Sequence, residues 1–176
     1  DYVLSVADKE LSEAIIKQIH YILKSGTTDS QKEWFAVRDY KKRPNMIGDM
    51  VETTHPSKVV DELKQLLRQY RENDNITFGD IVEFHYKFEK IHPFQDGNGR
   101  VGRLIMFKEC LRYDVMPFIL DDKRRTRYLE GLREWDNDSS ILAEVVMEAQ
   151  SRFDAQIQLQ KLAEHRQNFL PVGFME

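Results

Sequence analysis

Apolar residues recur along this chain with helical spacing for most of its length, and one stretch departs from it. Ile81, Phe84, Phe88 and Ile91 follow one another at intervals of three, four and three, which puts them on one face of a helix. Thr77 and Asp80 form a capping-box-like start for this helix, which delivers His92 at its C-terminal end. Val101, Leu104, Ile105, Met106, Phe107, Cys110 and Leu111 leave almost no polar side, and a helix apolar all round belongs in the centre of a fold. Further patterns predict helices over residues 4–23, 57–72, 122–135 and 139–164. Lys24-Ser-Gly-Thr-Thr ends the first of these, and Asp136-Asn137-Asp138 separates the last two. Residues 34–55 lose the helical period, and residues 43–54, with Gly48-Asp49 in the middle, suit a short hairpin. The expected fold class is all-α, a compact helical bundle with one β-hairpin.

Between the two strongest helices, residues 92–103 read His-Pro-Phe-Gln-Asp-Gly-Asn-Gly-Arg-Val-Gly-Arg. A helix N-terminus gathers unpaired N–H groups and partial positive charge, and so favours phosphate. Glycines let an anion approach the backbone, and arginines grip phosphate oxygens with forked, charge-assisted hydrogen bonds. Histidine takes up a proton near neutral pH, and aspartate suits a hard cation such as Mg²⁺. Taken singly, His-Pro is a helix stop, Asp96 an N-cap, Gly97 and Gly99 turn residues, and the arginines surface charges. Together they describe nucleotide chemistry.

At these residues the chain resembles the Fic family, whose signature is His-Pro-Phe-x-Asp/Glu-Gly-Asn-Gly-Arg-x-x-Arg. Every fixed position is matched, and the wider resemblance runs over residues 34–153. The resemblance implies a Fic-type helical bundle that transfers AMP from ATP to a hydroxyl side chain of a target protein. It makes His92 the general base, Phe94 an anchor of the loop, and Asp96 the ligand of Mg²⁺. Gly97, Asn98 and Gly99 become the anion hole, with Asn98 also offering its side-chain amide. Arg100 and Arg103 become holders of the β- and γ-phosphates. The family's adenine-facing helix falls at Tyr128 and Leu132. Its flap, which covers the site and docks the target, falls at Asn45, Met46, Ile47 and Gly48. Such residues supply the positioning and charge neutralisation that phosphoryl-type transfer needs.

Length and composition narrow the picture. The chain has 176 residues, 41% of them hydrophobic, enough for one domain with its own core, here expected over residues 1–176. A net charge of −4 and a pI of about 5.8 lack the footprint of a general nucleic-acid binder. Lys123-Arg124-Arg125 with Arg127 is the strongest basic run, read as a solvated first helical turn. One cysteine, Cys110, fits inert core and a reducing compartment. Without a signal peptide or a membrane-length apolar run, the expected location is cytoplasmic. The first residue is Asp1, so a fragment of a longer protein is expected.

Other residues fit weaker patterns. His85 reads as a packing residue, and His20, His55 and His165 have no constellation around them. Many Fic enzymes carry an inhibitory helix, Ser/Thr-x-x-x-Glu-Gly/Asn, whose glutamate pairs with the second motif arginine. Residues 126–131, including Glu130 and Gly131, match it but lie after the motif. The usual inhibitory helix is therefore expected upstream in the full-length chain or from a partner. Three alternatives remain: phosphate or phosphocholine transfer, AMP removal, and an idle module that binds partners through the flap. Gly99 argues against the kinase-like relatives, which carry lysine there.

Overall fold

The computed structural model describes residues 1–33, 35–47 and 51–168. Trp34, Gly48 and the centre of the expected hairpin lie outside them. The elements run α1 (Tyr2–Ser5), α2 (Glu13–Lys24), β1 (Met46–Ile47), β2 (Val51–Glu52), α3 (Val59–Arg71), α4 (Phe78–Ile91), α5 (Asn98–Arg112), α6 (Arg125–Glu134) and α7 (Ser140–Asn168). Among the described residues three short 3-10 turns stand between them. The strands pair antiparallel, with Met46 opposite Glu52 and Ile47 opposite Val51. The molecule is thus an α-helical bundle with one hairpin, as the pattern predicts.

The capping box forms at the start of α4. Thr77 N–H donates to Asp80 Oδ2 at 2.7 Å, and Asp80 N–H donates to Thr77 Oγ1 at 3.3 Å. Ile81, Phe84, Phe88 and Ile91 are all buried. Helix α5 is central, packed on α4, α2 and α1, with Val101, Ile105, Met106 and Cys110 inside. Burial pushes the Cys110 thiol up to about 12, so it is an inert core residue.

One expectation fails. Residues 4–23 do not form one helix: α1 stops at Ser5, and α2 begins at Glu13 under an N-cap from Ser12. The reason sits in α5. Lys108 is fully buried and donates its ammonium protons to the carbonyl oxygens of Ala7 and Lys9, which a continuous helix would have used internally. The apolar period runs across the break because Val6 and Leu11 still face the same core.

Gly131 is where α6 and α7 cross. A Cβ there would lie 2.8 Å from the Leu142 backbone, so only glycine permits this approach. That contact accounts for the glycine in the residue 126–131 pattern. Among the described residues no helix is long and apolar enough to cross a membrane.

Candidate functional site

Helix α4 stops at His92 because Pro93 cannot continue it. His92 takes the left-handed conformation, φ 50° and ψ 60°, as the C-cap. This conformation is costly for a non-glycine residue, and it turns the imidazole back over the end of its own helix. His92 Nδ1 lies 3.1 Å from the Glu89 carbonyl oxygen. A carbonyl only accepts, so Nδ1 carries the proton and Nε2 keeps its lone pair. Burial pushes the His92 pKa down to about 4 against the pull of that bond, with Lys41 adding to the fall. The ring is a neutral base at physiological pH.

The next residues are fixed from inside. Phe94 is fully buried and stacks on the His20 ring, with centroids 3.9 Å apart and planes 3° from parallel. Asn98 closes the loop: its Oδ1 accepts from Phe94 N–H at 2.8 Å, and its Nδ2 donates to the Phe94 carbonyl at 2.7 Å. This corrects the expectation for Asn98. Its side-chain amide is committed to the loop, and what it offers the cavity is its backbone. Gly97 has φ 88° and is the N-cap of α5, without a side-chain cap, so the first-turn N–H groups lack intrahelical acceptors.

These residues surround a polar cavity of about 340 Å³. His92, Asp96, Gly97, Asn98, Gly99, Arg100, Arg103, Tyr128 and Leu132 all line it, as do Met46 and Ile47 of the hairpin. Asn45 does not. Its amide donates to the Phe94 carbonyl at 2.8 Å and so ties the hairpin root to the loop. Arg103 lies over the Tyr128 ring, 5.9 Å from its centroid, and among the described residues it makes no ion pair. Glu130 is exposed and faces a neighbouring cavity of about 600 Å³.

Asp96 is the candidate metal ligand. Its Oδ2 accepts from Lys24 Nζ at 2.7 Å and lies 3.5 Å from Arg100 Nη2. Burial opposes ionisation, but the bonds from Lys24 and Gly97 and the charges of Lys24 and Arg100 hold Asp96 below the usual carboxylate range. No cluster of three or more His, Cys, Asp or Glu side chains able to hold an ion occurs among the described residues. A half-exposed, ionised carboxylate lining the cavity nevertheless fits Mg²⁺, which commonly takes one or two protein carboxylates plus phosphates and water.

Several residues of this region escape sequence reasoning. His20 is not isolated: besides stacking on Phe94, its Nε2 donates to the Asp96 carbonyl at 3.2 Å. Lys24 reads as a helix end, yet it is buried between Asp29 and Asp96. Lys41 is buried and donates to Asn45 Oδ1, Thr53 Oγ1 and the Ile91 carbonyl, joining both hairpin roots to the end of α4. Arg124 and Arg125 were expected on a solvated turn and line the cavity instead. Glu89 is buried beneath His92. Nothing in local pattern marks His20, Lys24 or Lys41, since each owes its place to a contact distant in sequence. His85 is a packing residue, with Nε2 2.6 Å from the Tyr128 hydroxyl.

Comparison with known proteins places this fold in a family. The model of the Fic/DOC family matches residues 10–110. A probable protein adenylyltransferase of Aquifex aeolicus (strain VF5) is 28% identical over 141 residues, covering 78% of this chain and 41% of that protein. A protein adenylyltransferase of Caenorhabditis elegans is 32% identical over 80 residues, 44% of this chain and 16% of that one. The chain therefore spans less than half the length of either. Among solved structures, a Fic domain-containing signaling protein of Bacteroides thetaiotaomicron superposes with a TM-score of 0.72. It shares 21% identity, over 90% of this chain and 66% of that one. The BepC protein of Bartonella tribocorum, solved with bound AMPPNP, gives a TM-score of 0.57 at 17% identity, over 84% and 80%. With its signature complete, its fold shared and the family model spanning more than half its length, the chain belongs to the Fic/DOC family.

Proposed function

We propose that this chain is a protein adenylyltransferase that moves AMP from ATP to a hydroxyl side chain of a target protein. One observation carries the reading: a neutral imidazole whose Nε2 makes no bond among the described residues shares a single cavity with an uncapped helix N-terminus and two motif arginines. The target hydroxyl gives its proton to His92 Nε2 as its oxygen bonds to the α-phosphorus. The bond from that phosphorus to the bridging oxygen breaks, and pyrophosphate leaves with the electron pair.

The α5 N-terminus and Arg100 take phosphate charge, and Arg103, which makes no ion pair among the described residues, holds the far end of the triphosphate. Tyr128, Leu132 and Ile47 offer apolar walls for the base. Mg²⁺, when bound at Asp96, supplies neutralisation of the phosphate oxygens. The hairpin, held at its root and lining the cavity, is where the target segment docks. The names of the two curated relatives and the AMPPNP bound to BepC support this reading.

The test is incubation of the chain with α-labelled ATP and a cell lysate. Label on protein with the native chain, and none with His92→Ala, is the expected result. No label with either overturns the proposal.

A further inference from the structure

The signature leaves three positions open, and the structure accounts for one of them, residue 102. A Cβ at residue 102 would lie 2.6 Å from Glu89 Oε1 and 2.8 Å from His85 Nδ1. Both are fixed, buried side chains, so glycine alone fits there. The room it leaves is occupied by an acid: Glu89 is 2% exposed, and its Oε1 has no hydrogen-bond partner among the described residues. His85 Nδ1, on the other side of the same gap, has none either. A buried carboxyl without a partner costs stability, and packing does not explain it, since an apolar side chain would fill the space better.

The other oxygen shows what the acid faces. Glu89 Oε2 lies 3.5 Å from His92 Nδ1, the same nitrogen that the Glu89 carbonyl engages at 3.1 Å. One residue thus presents both its backbone and its carboxyl to the side of the imidazole opposite Nε2. We propose that Glu89 is a positioning residue of the transfer, holding the His92 ring by Nδ1 and balancing the positive charge that forms there.

This inference rests on the adenylyl transfer proposed above. When the target proton arrives at Nε2, the ring becomes an imidazolium whose Nδ1–H points at the Glu89 carbonyl and carboxylate. On release, that proton returns to water. The arrangement parallels the buried carboxylate that orients and stabilises a catalytic histidine in acyl transfer. The groups facing the Glu89 carboxyl are His85 from α4, His92 at its C-cap, Arg103 from α5 and Tyr128 from α6, while Lys41 and Asp96 act on His92. Burial pushes the Glu89 carboxyl up to about 8, with Arg103 opposing. The carboxyl therefore ionises, and His92 becomes the stronger base, as pH rises through that value.

The test is Glu89→Gln, which keeps the shape and removes the charge. Expected are a fall in kcat of about tenfold or more, an unchanged Kd for a non-hydrolysable ATP analogue, and no loss of thermal stability. Transfer by the native chain is expected to rise as pH passes about 8, and that rise to be absent in the variant. A second readout needs no transfer. In the chain labelled with ¹⁵N-histidine, His92 Nδ1 shifts as pH crosses that value in the native protein and not in Glu89→Gln. Native-like kcat and pH dependence in the variant overturn the proposal, and so does a native His92 signal blind to that pH range. If the native chain transfers no AMP, the functional reading fails, and the His92 signal still decides whether Glu89 acts on it.

Discussion

Two regions border the same cavity and are held in opposite ways. Residues 92–103 are fixed along their length: Phe94 is sealed against His20, Asn98 bonds both backbone groups of Phe94, and Gly97 takes the one conformation that opens α5. The hairpin has strands of two residues each, and its ties gather at the root, through Lys41, Asn45 and Thr53. Beyond that root, Met46 is 47% exposed. The loop is set in advance for chemistry, as group transfer demands. On the proposed function the anchored hairpin would serve recognition, so changes in the two regions should separate catalysis from target choice.

The largest effect falls in the loop. His92→Ala removes the proposed general base, and transfer is expected to drop by about 10²–10⁴-fold while a nucleotide analogue binds as before. Calorimetric titration beside a transfer assay checks both halves. Weakened analogue binding in that variant contradicts the assignment.

Phe94→Ala empties the sealed position and costs about 3–5 kcal/mol of stability, read as a fall in denaturation midpoint. At the hairpin root, Lys41→Met leaves its acceptors without a donor and costs about 1–3 kcal/mol. It raises KM for the target more than Kd for nucleotide, and the reverse pattern breaks the proposed division between the regions.

Acid acts on the whole site. Burial pushes His85 down to about 3 and His92 to about 4, against an ordinary value of 6.5. Below that ordinary value the unfolded chain binds protons that the native one refuses, so stability declines as pH falls toward the native values. Thermal midpoints that stay level across this window contradict it.

The smallest effect is expected at Glu130. It makes no ion pair with Arg103 and faces the neighbouring cavity, so Glu130→Gly leaves transfer near the native rate. A large gain marks Glu130 as an inhibitor.

The difference between the regions also sets what the sequence could reveal. The loop is legible because its parts are adjacent in sequence: one helix stop, one turn and one helix start bring His92, Asp96 and both arginines together. Helix α4 is legible for the same reason, through its capping box and apolar face. Lys108 stays hidden because its partners, the carbonyls of Ala7 and Lys9, lie far away in the chain, and they turn one expected helix into two. Lys24 and Lys41 look like solvated charges until folding brings Asp96 to one and the hairpin roots to the other. Asn98 misleads in another way. Its place in the motif suggests a ligand contact, whereas its amide holds the loop closed.

The central claim is that the group transferred is AMP. The most direct measurement supplies the native chain with ATP labelled at the α-phosphate in one sample and at the γ-phosphate in another, against the same mixture of proteins. The account predicts protein-bound label from the α-position alone, abolished in His92→Ala. Label from the γ-position alone would mean phosphate transfer and would contradict it.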